Sequence, residues 1–303
     1  MSLMNLPALV LLAIPSSLAW AYCMFAAVFA IGLAVIFLSA EWRKTSGLER
    51  LILLGPVFYA APIAAFGTEH FTLNPTIASI IPSWIPWHVF WAYFVGACFI
   101  AAGFSLATQI QVRLTASLLA LTFFLFVVLM DIPGCVQNPR DRFMLTLTLR
   151  ELSFCAGPLA LAASFSPGGE PGKNVFVTIA RYFIAIPVLF FSFEQFMHGD
   201  HVAGIPLEPL TPTYIFGHTI WTYVAAVAYA IAGLMLLLGM KARVAAAWIG
   251  LTVLFIEVVV YVPIGVVESM SLDNGFNYWA DTLMYCGTVL LLAGAMPRGI
   301  RRG

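Results

Sequence analysis

Residues 82–93 read Pro-Ser-Trp-Ile-Pro-Trp-His-Val-Phe-Trp-Ala-Tyr, and residues 212–223 read Pro-Thr-Tyr-Ile-Phe-Gly-His-Thr-Ile-Trp-Thr-Tyr. Both fit one pattern, P-[ST]-[WY]-I-x-x-H-x-x-W-x-Y, at a separation of 130 residues. The same shift aligns 82–163 with 212–293 without a gap, with 18 identities in the 82 positions. Leu, Ala and Val matches carry little weight in so apolar a chain. His88/His218, Gly103/Gly233, Arg113/Arg243, Pro133/Pro263 and Gly157/Gly287 carry more. The acids Glu151 and Asp281 also align. Self-similarity at a fixed spacing reads as an internal duplication.

The surrounding composition says what is duplicated. Of the 303 residues, 62% are hydrophobic and 9% charged, against about 45–50% and about 25% in a soluble domain. Such a chain cannot cover a water-facing surface with polar side chains. Soluble enzymes, disordered tails and nucleic-acid binders are excluded, and the partner that the composition demands is the lipid bilayer. Five scattered cysteines without a C-x-x-C give no disulfide framework and no dithiol centre.

Nine apolar runs are long enough to cross a membrane: 17–40, 49–68, 87–108, 114–134, 143–165, 175–197, 215–239, 244–266 and 277–297. The expected fold is therefore all-α and polytopic, with nine transmembrane helices. One N-terminal helix with its following loop occupies 1–48. A first four-helix repeat occupies 49–166, and a second, with a basic tail, occupies 167–303. Four is an even number, so the two repeats insert in the same sense, related by an axis along the membrane normal. With nine crossings, Arg43, Lys44, Arg50, Arg113, Lys173, Arg181, Lys241, Arg243, Arg298, Arg301 and Arg302 all fall on one side. Only Arg140, Arg142 and Arg150 fall towards the other. The positive-inside rule then puts the N-terminus outside and the C-terminus inside a bacterial-type cytoplasmic membrane. All five histidines, and most carboxylates apart from Glu41, Glu49 and Glu170, fall towards the outer face.

Several stretches are similar to DoxX-like membrane proteins: Phe66-Gly67-Thr68-Glu69-His70-Phe71, then Pro82-Ser83-Trp84-Ile85-Pro86, then Phe90 to Gly96, and Asn277-Tyr278-Trp279-Ala280-Asp281-Thr282-Leu283. The resemblance covers about 49–297. It implies a four-helix membrane unit, present twice here behind one extra span, and a quinone-linked redox role. It carries over no catalytic motif.

Ionisable groups inside a span cost about 2.5–3.5 kcal/mol each on insertion scales and are functional candidates by default. Glu194, His218, Glu257 and Asp281 are the expected proton or hydrogen-bond suppliers to a quinone or similar amphiphile. Glu69, His88, Trp91, Asp131, Glu151 and Trp221 are the expected pocket. Glu69 with His88, and Glu194 with His218, sit at facing helix ends and read as two acid–imidazole pairs. Arg150 and Glu151 are neighbours on one helix and are expected to point apart, each to a partner on another span. Glu194, His198, Asp200 and His201 form the densest ligand group, with His198, Asp200 and His201 the candidate ligands of a divalent metal at the outer face. The proline-punctuated loops 71–86 and 199–214, Pro206 included, are apolar enough to lie in the interface.

The leading expectation is thus an amphiphile-binding subunit with a separate redox partner protein. A non-catalytic assembly module, a lipid isomerase or cyclase, and a transporter stay open beside it. No phosphate-binding loop, H-E-x-x-H or G-x-S-x-G is present to support nucleotide or hydrolase chemistry.

Overall fold

The computed structural model describes residues 16–165, 174–205, 209–268 and 271–298. Residues 1–15 of the first unit, Glu170, Lys173, Pro206, Arg301 and Arg302 lie outside the described residues. Among the described residues are nine long helices: α1 (Ser16–Leu38), α2 (Leu48–Thr72), α3 (His88–Thr108), α4 (Val112–Gln137), α5 (Arg142–Ser164), α6 (Val175–Met197), α7 (Ile220–Leu238), α8 (Ala242–Val267) and α9 (Tyr278–Ala295). The chain is a helical, multi-pass membrane protein. Seven of these helices are long and apolar enough to cross a bilayer. The other two, α5 and α9, hold Arg150, Glu151 and Asp281, which lower their hydropathy. They also lie at the centre, and α9 is buried along nearly its whole length.

Some helical starts follow local chemistry. Asp141 caps α5 by accepting from the Met144 amide at 3.2 Å, and Asn174 caps α6 by accepting from Phe176 at 2.9 Å. Pro56 occupies the first helical turn after Leu54, where its missing N–H costs nothing. Helices α4 and α8 are each interrupted by one π turn, Val127–Asp131 and Glu257–Tyr261, followed by Pro133 and Pro263. The two interruptions stand 130 residues apart. A proline cannot donate to the preceding turn, and a π turn is one way a helix absorbs that lost bond.

The packing pairs are α2 on α3 and α6 on α7, α4 on α5 and α8 on α9, α2 on α9 and α6 on α5, with α5 against α9 in the middle. Helix α1 adds to one side, against α2 and α3. A chain of rings crosses the interior from α3 to α6. Phe99 stacks on Phe123 at 5.7 Å, Phe123 meets Phe154 at 5.7 Å, Phe154 meets Tyr285 at 6.4 Å, and Tyr285 meets Phe191 at 6.0 Å. Small residues let the backbones close, as expected between helices that share a membrane. A Cβ on Gly103 would meet the Ala60 carbonyl of α2 at 2.8 Å, and one on Gly287 would meet the Tyr59 amide nitrogen at 2.5 Å.

Gly287→Ala is therefore expected to force α9 from α2 and to cost about 1–3 kcal/mol by overpacking. Gly294→Ala, whose Cβ would make an ordinary 3.6 Å contact with Ile52, is expected to be near neutral. Thermal unfolding midpoints of the two purified variants decide this; equal midpoints would refute the close-approach argument.

Candidate functional site

Arg150 lies about 12 Å into α5 from its Arg142 end, at 1.5 Å per residue. Its guanidinium gathers groups from three helices. Nη1 donates to Asp281 of α9, and Nη2 donates to Glu151 Oε1 at 3.1 Å. Asp131, the last residue of the π turn in α4, lies within electrostatic range of the same guanidinium. The ring of Phe154 floors it, 5.6 Å from the guanidinium carbon. Arg150 and Glu151 thus touch each other rather than pointing apart. The arginine stem is long enough to curl back across one helical step, which a comparison of Cβ directions alone does not capture.

The Arg150 cluster is only partly satisfied. Arg150 Nε, Glu151 Oε2 and Asp131 Oδ2 are buried without a hydrogen-bond partner among the described residues. One guanidinium bonds two carboxyls and has a third within electrostatic range, so the group has unspent donor and acceptor capacity and an excess of acid over base. Burying such groups is costly unless protons, ions or a polar ligand meet them.

A second polar cluster sits at the end of the bundle that carries the histidines. Arg142 Nη1 donates to Glu194 Oε2 at 3.1 Å, and His198 Nε2 stands 3.8 Å from the same oxygen. The rings of His198 and His201 meet edge-on at 5.2 Å, and His201 Nδ1 is 3.1 Å from Asp200 Oδ1. Asp200 lies in water; a main-chain hydrogen bond, and then His201, hold its carboxyl below the usual range. His198, Asp200 and His201 are therefore neighbours, but His201 turns to Asp200 while His198 turns to Glu194. Among the described residues no group of three or more His, Cys, Asp or Glu is arranged to hold a metal ion.

The other candidates are placed as follows. His88 turns its Nε2 to the Pro82 carbonyl at 3.2 Å. His218 occupies a left-handed turn, φ 31°, and Glu194 is taken by Arg142 and His198. Trp91 lies on an exposed aromatic face with Phe90 and Phe94. Trp221 donates to the Phe216 carbonyl at 2.6 Å and packs on Phe255. Glu69 is buried near the end of α2. Glu257 is buried at the start of the π turn in α8, and neither of its carboxyl oxygens has a hydrogen-bond partner among the described residues. Glu151 and Asp281 meet at Arg150, with Asp131 within electrostatic range; His88, Trp91, His218 and Trp221 do not join them.

Spacing singles out Arg150 only as a costly intramembrane charge seeking a partner on another helix, and does not mark Arg142 at all, yet the two arginines organise both clusters. The signal was present: they are two of the three basic residues that break the charge bias along the chain. A cation on the wrong side of that bias is tolerated when it is bonded to a carboxylate. The expectation that polar groups gather at the histidine end is also incomplete. At the opposite end Arg243 holds Glu49 with two bonds, 2.7 and 3.2 Å, and closes α9 by donating to Ala293 and Met296 carbonyls at 2.6 and 2.8 Å. Beside them opens a cavity of about 650 Å³, lined by Ser39, Glu41, Asn174 and Leu290 among others.

Arg150→Met leaves Asp281 and Glu151 buried and unpaired, and is expected to cost about 3–5 kcal/mol. The triple variant Arg150→Met, Glu151→Gln, Asp281→Asn removes the two carboxylates bonded to Arg150 and is expected to recover most of that loss. Unfolding midpoints in detergent test it; a triple variant less stable than the single one would show that the three groups do not act as a unit. No family model, no curated protein and no solved structure matches this chain.

Proposed function

We propose that this chain is a DoxX-like membrane protein whose Arg150 cluster binds the polar head of a quinone or a similar lipid-like amphiphile and exchanges protons with it. The observation that carries the reading is the partly satisfied cluster of Arg150, Glu151, Asp281 and Asp131. A guanidinium with a free Nε–H can donate to a carbonyl oxygen of such a head group. Carboxyls at hydrogen-bond range can supply or take the accompanying protons. The site lies within the apolar span, where a membrane-dissolved ligand is concentrated and a water-soluble one is not. In a redox system the electrons would come from a separate partner protein.

The same reading includes nine crossings, with α5 and α9 as central spans, in a bacterial-type cytoplasmic membrane with the N-terminus outside. Two four-helix repeats, α2–α5 and α6–α9, are supported by the packing pairs, which exchange with one another when the quartets are swapped, and by π turns at matching positions. A non-catalytic assembly module is the second reading. It is favoured by the Arg150–Asp281 bond itself, which ties the two halves and would do so without any ligand.

Lipid extracts of purified protein are expected to contain about one quinone per chain, and Asp131→Asn and Glu151→Gln to lose it while remaining folded. A folded wild type that carries no quinone and binds none on addition would leave the assembly reading in place. For topology, a membrane-impermeant thiol reagent on intact cells is expected to label Arg140→Cys and spare Lys241→Cys in a background without native cysteines. The reverse pattern would invert the assigned orientation.

A further inference from the structure

The cavity beside Arg243 and Glu49 has no part in the amphiphile reading. Its volume is about 650 Å³, inside the roughly 300–1,000 Å³ typical of small-molecule sites. Both quartets and the first helix contribute to its wall. Val35 and Ile36 come from α1, Ile52 from α2, Leu161 from α5, Val177 from α6 and Leu290 from α9. Ile36, Ile52, Val177 and Leu290 are buried. Leu161 stands about 16 Å further along α5 than Arg150, at 1.5 Å per residue, so the cavity is a different place from the Arg150 cluster. It also reaches the edge of the spans. Ser39 and Glu41 line it, and they lie between the end of α1 at Leu38 and the start of α2 at Leu48. An apolar wall that opens on a polar rim at this depth matches a molecule with a hydrocarbon part and a charged head.

Four charged side chains line the cavity: Glu41, Glu49, Arg243 and Arg298. Arg243 is fully engaged. Its Nε and Nη2 donate to Glu49, and its Nη1 to the Ala293 and Met296 carbonyls. Arg298 is not. Its Nε stands 3.3 Å from Glu49 Oε2, the oxygen that Arg243 also holds, and its two Nη nitrogens have no partner among the described residues. Two guanidiniums thus share one carboxylate, which leaves one positive charge over, carried by a planar fork that fits phosphate oxygens. Glu41 is exposed at the same rim and has no ion pair among the described residues.

The rim therefore matches one anionic and one cationic group on the same molecule. Inorganic phosphate would meet Arg298 but leave the apolar wall and Glu41 without a partner. An anionic phospholipid would fill the wall and meet Arg298, yet bring no cation to Glu41. A choline head carries a positive charge but no N–H to donate. A primary ammonium can donate to the Glu41 carboxylate while the phosphate beside it accepts from Arg298. Basic pockets between membrane helices are a recurrent way of holding lipid head groups.

We propose that this cavity binds one zwitterionic aminophospholipid, with its phosphate on Arg298, its primary ammonium on Glu41 and the start of an acyl chain against Ile36, Ile52 and Leu290. The site does not depend on the amphiphile reading. The test is native mass spectrometry of the full chain, purified in detergent and titrated separately with phosphatidylethanolamine, phosphatidylglycerol and inorganic phosphate. Saturable binding of one phosphatidylethanolamine per chain is expected, with phosphatidylglycerol about tenfold weaker and no binding of inorganic phosphate. Arg298 follows α9 and its side chain is 62% exposed, so Arg298→Gln is expected to fold; it should weaken both lipids at least about tenfold. Glu41→Gln should weaken phosphatidylethanolamine alone and so remove the preference between the two lipids. Asp131→Asn, which alters the Arg150 cluster, should leave this binding unchanged. A wild type without saturable phosphatidylethanolamine binding overturns the proposal. So does phosphatidylglycerol or inorganic phosphate bound as tightly, binding unchanged in Arg298→Gln, or binding lost in Asp131→Asn.

Discussion

The bond from Arg150 to Asp281 ties the two halves of this molecule together at their centre. It links α5 to α9, the two long helices whose composition falls short of a simple apolar span, and the same guanidinium holds Glu151. In water such a pair would contribute little. Inside a bundle of apolar helices neither partner can be removed alone without stranding the other. The surrounding interfaces are built to let these helices close, with Gly157 against Thr288 and Gly287 against the backbone of α2.

Polar groups are distributed along the bundle in tiers. Arg142, Glu194, His198 and His201 lie at the end of α6, next to the exposed Asp200. Arg150 and its acids lie deeper, and Glu257 lies among the tyrosines of the C-terminal half. At the far end Arg243 and Glu49 close α9 beside the cavity. Each tier except that of Glu257 centres on an arginine. An arginine presents a planar fork of five donors and stays charged, so it can hold a carboxylate where a lysine would be a poorer match. Glu257 is the buried acid whose carboxyl oxygens meet no such partner among the described residues.

The two halves resemble each other in helix pairing and in the placement of their π turns, yet their chemistry has diverged. Asp131 stands in the first π turn where Tyr261 stands in the second, and Glu257 stands where the first has Val127. The two π turns thus carry their acids at opposite ends, Asp131 last in the first and Glu257 first in the second. The loop at 199–205 deepens the difference. It is tucked in by Gln195 and Tyr261, whereas the first half has the short helix Asn74–Ile80 at the corresponding place.

Much of the architecture was legible from composition and spacing. Runs of about 20 apolar residues demand helices, because only a helix satisfies its own backbone in lipid. The 130-residue spacing coincides with that of the two π turns, and the rarity of charge marked Glu151, Asp281, Asp131 and Glu257 as costly positions. Partner identity was not legible. Acids and imidazoles at facing helix ends suggested Glu–His pairs, but His88 turned to a loop carbonyl and Glu194 to Arg142. Those choices depend on helix rotation and on how far a flexible arginine can reach, and neither has a signature in one-dimensional spacing. A linear chain thus determines which groups must be buried and roughly how deep. Only the three-dimensional packing decides which of them meet, because contact between helices separated by a hundred residues is set by the fit of whole surfaces.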